Sequence, residues 1–150
     1  MPRWSRRTFK RIRAAAQTDA RAEPTRPDDG ADKRRLGLDH AAFETPDPDA
    51  TAAFYERVFG ARVVKAEDHP IMAYVGNSGF AFHETGGPGD HVAVRMSSDE
   101  REGLKRRLND AGIDWEERDH GIAKGVFFRD PDGRQLEAIT YAGGDDPRRR

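Results

Sequence analysis

Between residues 36 and 141 the spacing of apolar positions switches between strand and helix periods in one fixed order, twice over. Residues 36–43 alternate, with Leu38, His40 and Ala42 on one face and Asp39, Ala41 and Phe43 on the other, which predicts a strand. Pro46 and Pro48 end it. Asp47 or Asp49 then caps a predicted helix carrying Ala50, Phe54 and Val58 at helical spacing, and Gly60 stops it. Short strands are predicted over 62–66, 71–75 and 80–84, with Asn77-Ser78-Gly79 as the hairpin turn before the last. The order then recurs. Residues 91–96 read as a strand, and Ser97-Ser98-Asp99-Glu100 as a capping box in which hydroxyl and carboxylate each satisfy a free backbone donor. The helix behind it runs through Leu104, Leu108 and Ala111 to Gly112. Strands over 114–118, 125–129 and 135–141 follow, the last after the turn Asp130-Pro131-Asp132-Gly133. The pattern is βαβββ, twice.

The repetition extends to individual polar residues. Asp39-His40-Ala41-Ala42 opens one half and Asp90-His91-Val92-Ala93 the other. The halves close on Gly79-Phe80-Ala81-Phe82-His83 and Gly133-Arg134-Gln135-Leu136-Glu137, and four residues on from each glycine stand His83 and Glu137. A repeated unit constrains the whole fold. Imidazole and carboxylate at matching strand positions (His40, His83, His91, Glu137) suggest one divalent metal held between the two copies.

Composition narrows the chemistry. A chain of 150 residues fits one domain with a real core. It has no cysteine, which excludes disulfides, thiolate metal sites and a cysteine nucleophile, so any metal is held by nitrogen and oxygen. No apolar run is long enough to span a bilayer. The net charge of −1 conceals an asymmetry: residues 1–35 carry 11 Lys and Arg against 5 Asp and Glu, a net of +6, and the rest carry 15 against 22, a net of −7. The basic segment, broken by Pro24, Pro27 and Gly30, is expected to be a disordered tail, with a short basic helix over 4–17 as the alternative. Ser5-Arg6-Arg7-Thr8-Phe9-Lys10 has the look of a twin-arginine signal, but Lys10-Arg11-Ile12-Arg13 supplies charge where an apolar stretch is needed. A cytoplasmic protein is therefore expected. Nucleic-acid binding through the basic segment is disfavoured by the acidic remainder. Residues 142–150 read as a second tail.

Asp39-His40, the run from Phe54 to Gly60, Asp90-His91-Val92-Ala93 and the stretch from Phe128 to Glu137 resemble the vicinal oxygen chelate superfamily of glyoxalases, extradiol dioxygenases, epimerases, fosfomycin-resistance transferases and bleomycin-binding proteins. The resemblance spans 36–141. It implies an α+β fold in which two βαβββ modules, over 36–85 and 90–141, form a cupped, incomplete mixed β-barrel with flanking helices. It also implies a divalent ion (Fe, Mn, Ni, Co or Zn) on His40, His91 and Glu137, with His83 as a possible fourth ligand or acid–base group. The residues themselves agree with such a site. His40 shares its face with Ala42 and His91 with Ala93, and small neighbours leave room above the imidazoles. A two-histidine, one-carboxylate set keeps open positions. Taken singly, each histidine reads better as a satisfied, half-buried strand residue, and it is the set of three that favours ligands.

Weaker candidates surround these. Arg95 lies on the His91 face and could bind a substrate carboxylate or phosphate, or pair with an acid. His120 and Lys124, before the seventh strand, could shape a substrate pocket. His69 reads as surface, and Tyr55 and Trp115 as core or pocket wall. Fosfomycin transferases use a lysine and serine loop and a pocket tyrosine where this chain has Glu117, Gly121 and Phe127, which argues against that activity. The expected function is a metal-dependent lyase, isomerase or dioxygenase acting on a small molecule with vicinal oxygens, with Glu137 or His83 moving the proton. The alternative is a protein that sequesters a small molecule. Open strand edges and the resemblance together point to a homodimer whose site is shared between subunits, His40 (with His83 if it binds) from one and His91 with Glu137 from the other; the alternative is closure of both halves within one chain, which puts all ligands in one monomer.

Overall fold

The structure is a computed structural model that describes residues 36–150, so the expectations for the basic segment lie outside the described residues. The first module consists of β1 (Gly37–Thr45), α1 (Pro48–Phe59), β2 (Arg62–Val64), β3 (Ile71–Val75) and β4 (Ser78–Glu84). The second consists of β5 (His91–Arg95), α2 (Ser98–Ala111), β6 (Trp115–Asp119), β7 (Ala123–Arg129) and β8 (Gln135–Tyr141). All eight strands join one mixed sheet in the order β2-β3-β4-β1-β5-β8-β7-β6. Among the described residues β2 and β6 form the two edges of the sheet, which does not close into a barrel, as expected. No helix among the described residues is long and apolar enough to cross a membrane.

The modules meet along β1 and β5, which run antiparallel with His40 opposite Ala93 and Ala42 opposite His91. This pairing relates the two histidines by a local two-fold and puts both on the inner face of the sheet. The register slips between Leu38 and His40. The bulge turns Leu38 outward, off the face that strict alternation assigns it, and leaves consecutive Asp39 and His40 both buried.

Helix ends follow local chemistry. Asp47 caps α1 by accepting from Ala50 N–H, and Ser97 and Glu100 form the expected capping box on α2. Both helices stop on glycines in the left-handed region, Gly60 and Gly112. The buried face of α1 differs from the expected stripe. Ala52 is buried and Tyr55 packs on Phe80 and Phe82, whereas Phe54 and Val58 are 48% and 55% exposed. Two apolar stripes compete on this helix, and the sheet takes the one with the small residue that permits close approach. On α2 the expected stripe holds, with Leu108 packed against Val126 and Ala138.

Two other departures concern turns and ends. The β3–β4 hairpin turns at Gly76-Asn77, between the paired residues Val75 and Ser78, and Gly79 lies inside β4. The carboxy-terminal residues, expected as a tail, fold back onto the first module. Asp146 caps a 3-10 helix, Pro147–Arg149, and is fully buried. Its carboxylate accepts from Tyr74 Oη at 2.6 Å and is paired with Arg148 at 2.9 Å. Arg62 in turn donates to the Arg148 carbonyl at 2.8 Å.

Candidate metal centre and cavity

His40 on β1, His91 on β5 and Glu137 on β8 come from three adjacent strands, since Ala93 pairs with His40 on one side and with Glu137 on the other. One potential ligand atom from each lies within 4.8 Å of the other two. Glu137 Oε2 is 3.5 Å from His40 Nε2 and 3.3 Å from His91 Nε2. All three residues are buried, and all belong to one chain. Antiparallel pairing of β1 with β5 closes the halves on each other, so within this chain the three residues meet without a contribution from a second subunit.

The orientation of each imidazole is set at Nδ1. His40 Nδ1 faces Asp39 Oδ2 at 2.8 Å, and His91 Nδ1 faces the Gly89 carbonyl at 2.7 Å. Both partners are acceptors, so each Nδ1 carries the proton and each Nε2 is turned toward the cluster. Two imidazole lone pairs and a carboxylate at 3.3–3.5 Å repel unless positive charge lies between them. Protons on the rings would meet that need, and so would one divalent cation. The donor set therefore fits a metal bound by nitrogen and oxygen. Burial alone would raise the Glu137 carboxyl, but hydrogen bonds from His120 and His91 and the charge that His40 and His91 carry when protonated outweigh it, holding it down to about 2.

The surroundings leave room for this arrangement by omission. Gly125 on β7 lies under Glu137: a Cβ there would overlap Glu137 Oε1 and stand 3.0 Å from His120 Nε2. The linker between the modules is held by Glu44, whose carboxylate accepts from Gly89 N–H at 2.7 Å and Gly86 N–H at 3.3 Å. This fixes the Gly89 carbonyl that orients His91.

The cluster sits in a cavity of about 1140 Å³, somewhat larger than the usual small-molecule site. His83 and His120 line it with the three candidate ligands. His120 Nε2 is 3.2 Å from Glu137 Oε1, so it touches the centre rather than standing apart from it. His83 lies beside the cluster, its ring 6.1 Å from that of His91. Counting from the glycines equates His83 with Glu137, but strand register corrects this. Ala81 pairs with Ala42 as Glu137 pairs with Ala93, so Ala81 is the counterpart of Glu137 and His83 stands two residues further along the same face. Burial, and then the charges of His91 and His40, push the His83 imidazole down to about 4, so it is neutral at ordinary pH.

Two expected substrate contacts fall elsewhere. Arg95 is outside the cavity lining, its guanidinium 3.8 Å from both Asp39 and Asp145, in the acid pairing that was the alternative. Lys124 is also outside the lining and exposed, because alternation on β7 turns Ala123, Gly125 and Phe127 inward and Lys124 outward. His69, read as surface, lines the cavity, as do Arg118 and Ile122. Tyr55 and Trp115 pack in the two hydrophobic layers under the helices. Sequence reasoning missed Asp39, Gly125 and Arg148, whose roles depend on a bulge, a close approach and a folded-back terminus. Only the Asp-His pair opening each module offered a signal.

A family model described as the Glyoxalase/Bleomycin resistance protein/Dioxygenase superfamily matches residues 37–138. The chain belongs to this superfamily. Its sequence is 29% identical over 116 residues to the metallothiol transferase FosB of Bacillus licheniformis, covering 70% of this chain and 75% of that protein. It is 28% identical over 114 residues to the FosB of Lysinibacillus sphaericus, covering 69% and 81%. Among solved structures, methylmalonyl-CoA epimerase from Mycobacterium tuberculosis superposes with a TM-score of 0.59 at 20% identity, covering 71% of this chain and 88% of that one. A superfamily member from Vibrio splendidus gives 0.55 at 18%, covering 71% and 98%. These two share the fold.

Proposed function

We propose that this protein is a metal-dependent enzyme acting on a small molecule with two neighbouring oxygens. The observation that supports this reading is the meeting of His40 Nε2, His91 Nε2 and Glu137 Oε2 on the floor of a cavity, with both Nδ1 atoms already committed. A divalent ion held there (Fe, Mn, Ni, Co or Zn) supplies a Lewis acid for chelated oxygens. The chain's own groups do the rest. Glu137 Oε1 and His120 Nε2 form a hydrogen-bonded pair at the cavity wall. His83, neutral and facing the same space, is the group we assign to take up a proton, with Glu137 as the other candidate. Exposed Leu38, Phe43 and Val92 on the outer face of β1 and β5 favour a homodimer with one complete site per chain.

A second reading is metal-assisted transfer of a thiol, favoured by the two relatives named metallothiol transferases. Phe127 packs 5.3 Å from the His91 ring, and Glu117 is paired with Lys105, so neither offers the groups that the sequence comparison with such transferases asks for. One screen separates the readings. Vicinal dicarbonyls, hydroxyacids, catechols and epoxides are offered with each metal, with and without a low-molecular-weight thiol. Turnover that needs metal but no thiol, and that vanishes in Glu137→Gln, is expected. Turnover only with thiol supports the second reading, and tight binding without any turnover contradicts both in favour of sequestration.

A further inference from the structure

We infer that Asp39 is a positioning residue for His40, held in place by Arg149 from the carboxy-terminal 3-10 helix; this rests on the metal-centre reading above. The bulge in β1 turns Asp39 and His40 inward together, and Asp39 is 1% exposed. Its Oδ2 accepts from His40 Nδ1 and from Tyr141 Oη, each at 2.8 Å. Its Oδ1 faces Arg149 Nη2 at 3.3 Å, with Arg95 Nη1 at 3.8 Å. Arg149 is itself anchored: Nη2 donates to the Asp39 carbonyl at 2.6 Å and Nη1 to the Asn77 carbonyl at 2.9 Å. Its guanidinium also lies 5.0 Å from the centre of the Tyr74 ring. Gly79 keeps the passage open, since a Cβ there would stand 3.2 Å from the Asp39 carbonyl oxygen and 3.3 Å from Arg149 Nη2.

A carboxylate this deeply buried persists in ionised form only with donors and a compensating cation. Without Arg149 the carboxylate would lose its anchor on Oδ1 and be free to swing away from the ring. His40 would then lose the acceptor that keeps its proton on Nδ1, and its Nε2 would no longer be reserved for the cavity. The second module orients its histidine differently, through the Gly89 carbonyl on His91 Nδ1, with Gly89 itself held by Glu44 rather than by Arg149. The two imidazoles should therefore respond unequally to loss of Arg149, which a general loosening of the fold would not produce.

The test uses the full chain with Arg149→Met and Arg149→Lys. Ring tautomers are read by long-range nitrogen–proton NMR after chelator treatment, and affinity by Co2+ titration. In Arg149→Met, His40 is expected to lose its fixed Nδ1–H form while His91 keeps its own. The Co2+ Kd should rise about 10- to 100-fold, the range for removing a group that orients a metal ligand, with Arg149→Lys recovering most of the loss. An unchanged His40 tautomer with unchanged affinity, or equal disturbance of both rings, would overturn the inference. A wild-type protein that binds no Co2+ while His40 still responds to Arg149→Met would sink the metal reading and leave the positioning role standing.

Discussion

Gly125 makes the sharpest demand of any single residue. A methyl group there overlaps Glu137 Oε1 and crowds His120, and Glu137 is too buried to step aside freely. Gly125→Ala should weaken metal binding by at least about tenfold while the protein remains folded; unaltered affinity in a Co2+ titration would contradict the arrangement. His83 makes a different prediction, about pH. Its imidazole falls from the ordinary 6.5 to about 4 in the fold, so between those values the unfolded chain binds the extra proton. Stability of the metal-free protein is therefore lost as pH falls from 6.5 toward 4. In His83→Gln that part of the slope should vanish in denaturant titrations across the window, and an identical slope would count against the buried, neutral His83. Of these residues, His40 and His91 stood out in the sequence through repeat position and a small neighbour two residues on, whereas Glu137 was singled out by the family resemblance and by a glycine count that strand register does not support. Asp39 did not stand out. Its counterpart Asp90 instead accepts from the Glu44 backbone N–H at the surface, and only the bulge separates the two.

At the scale of elements, helix caps and the order of strands could be read directly, because each rests on chemistry within a few residues. Which face a helix buries could not always be read this way. On α1, Ala50-Phe54-Val58 and Ala52-Tyr55 both satisfy helical spacing, and the choice depends on the fit to Phe80 and Phe82 across the sheet. Tyr55→Ala should cost toward the lower end of the roughly 3–5 kcal/mol typical of a large buried aromatic, and Phe54→Ala no more than about 0.5 kcal/mol. Urea titrations giving the reverse order would mean that α1 sits the other way round. Register was similarly out of reach. Counting from Gly79 and Gly133 makes His83 the twin of Glu137, yet Gly79 lies within β4 and Gly133 before β8, so the count starts from unlike places. The terminal 3-10 helix escaped for a related reason. Asp145, Asp146 and three arginines look like solvated charge until Tyr74 and Asp39 are brought beneath them from elsewhere in the chain.

For the whole molecule, closure of β1 on β5 within one chain has a direct consequence for mixing. His40→Ala and His91→Ala subunits, once exchanged, should regain no metal site, and recovery of one site in two would restore the shared arrangement. Self-association through the outer face of β1 and β5 is a separate matter, since Leu38→Lys should weaken a dimer in sedimentation while leaving metal content per chain unchanged. The central claim is that three side chains of one chain converge to hold one divalent ion. Its most direct test is metal content, measured on protein purified without chelator and reloaded to saturation. One equivalent per chain is predicted for the wild type, with near-complete loss in His91→Ala and in Glu137→Gln while circular dichroism shows both still folded. Full metal retention in those two variants would contradict it.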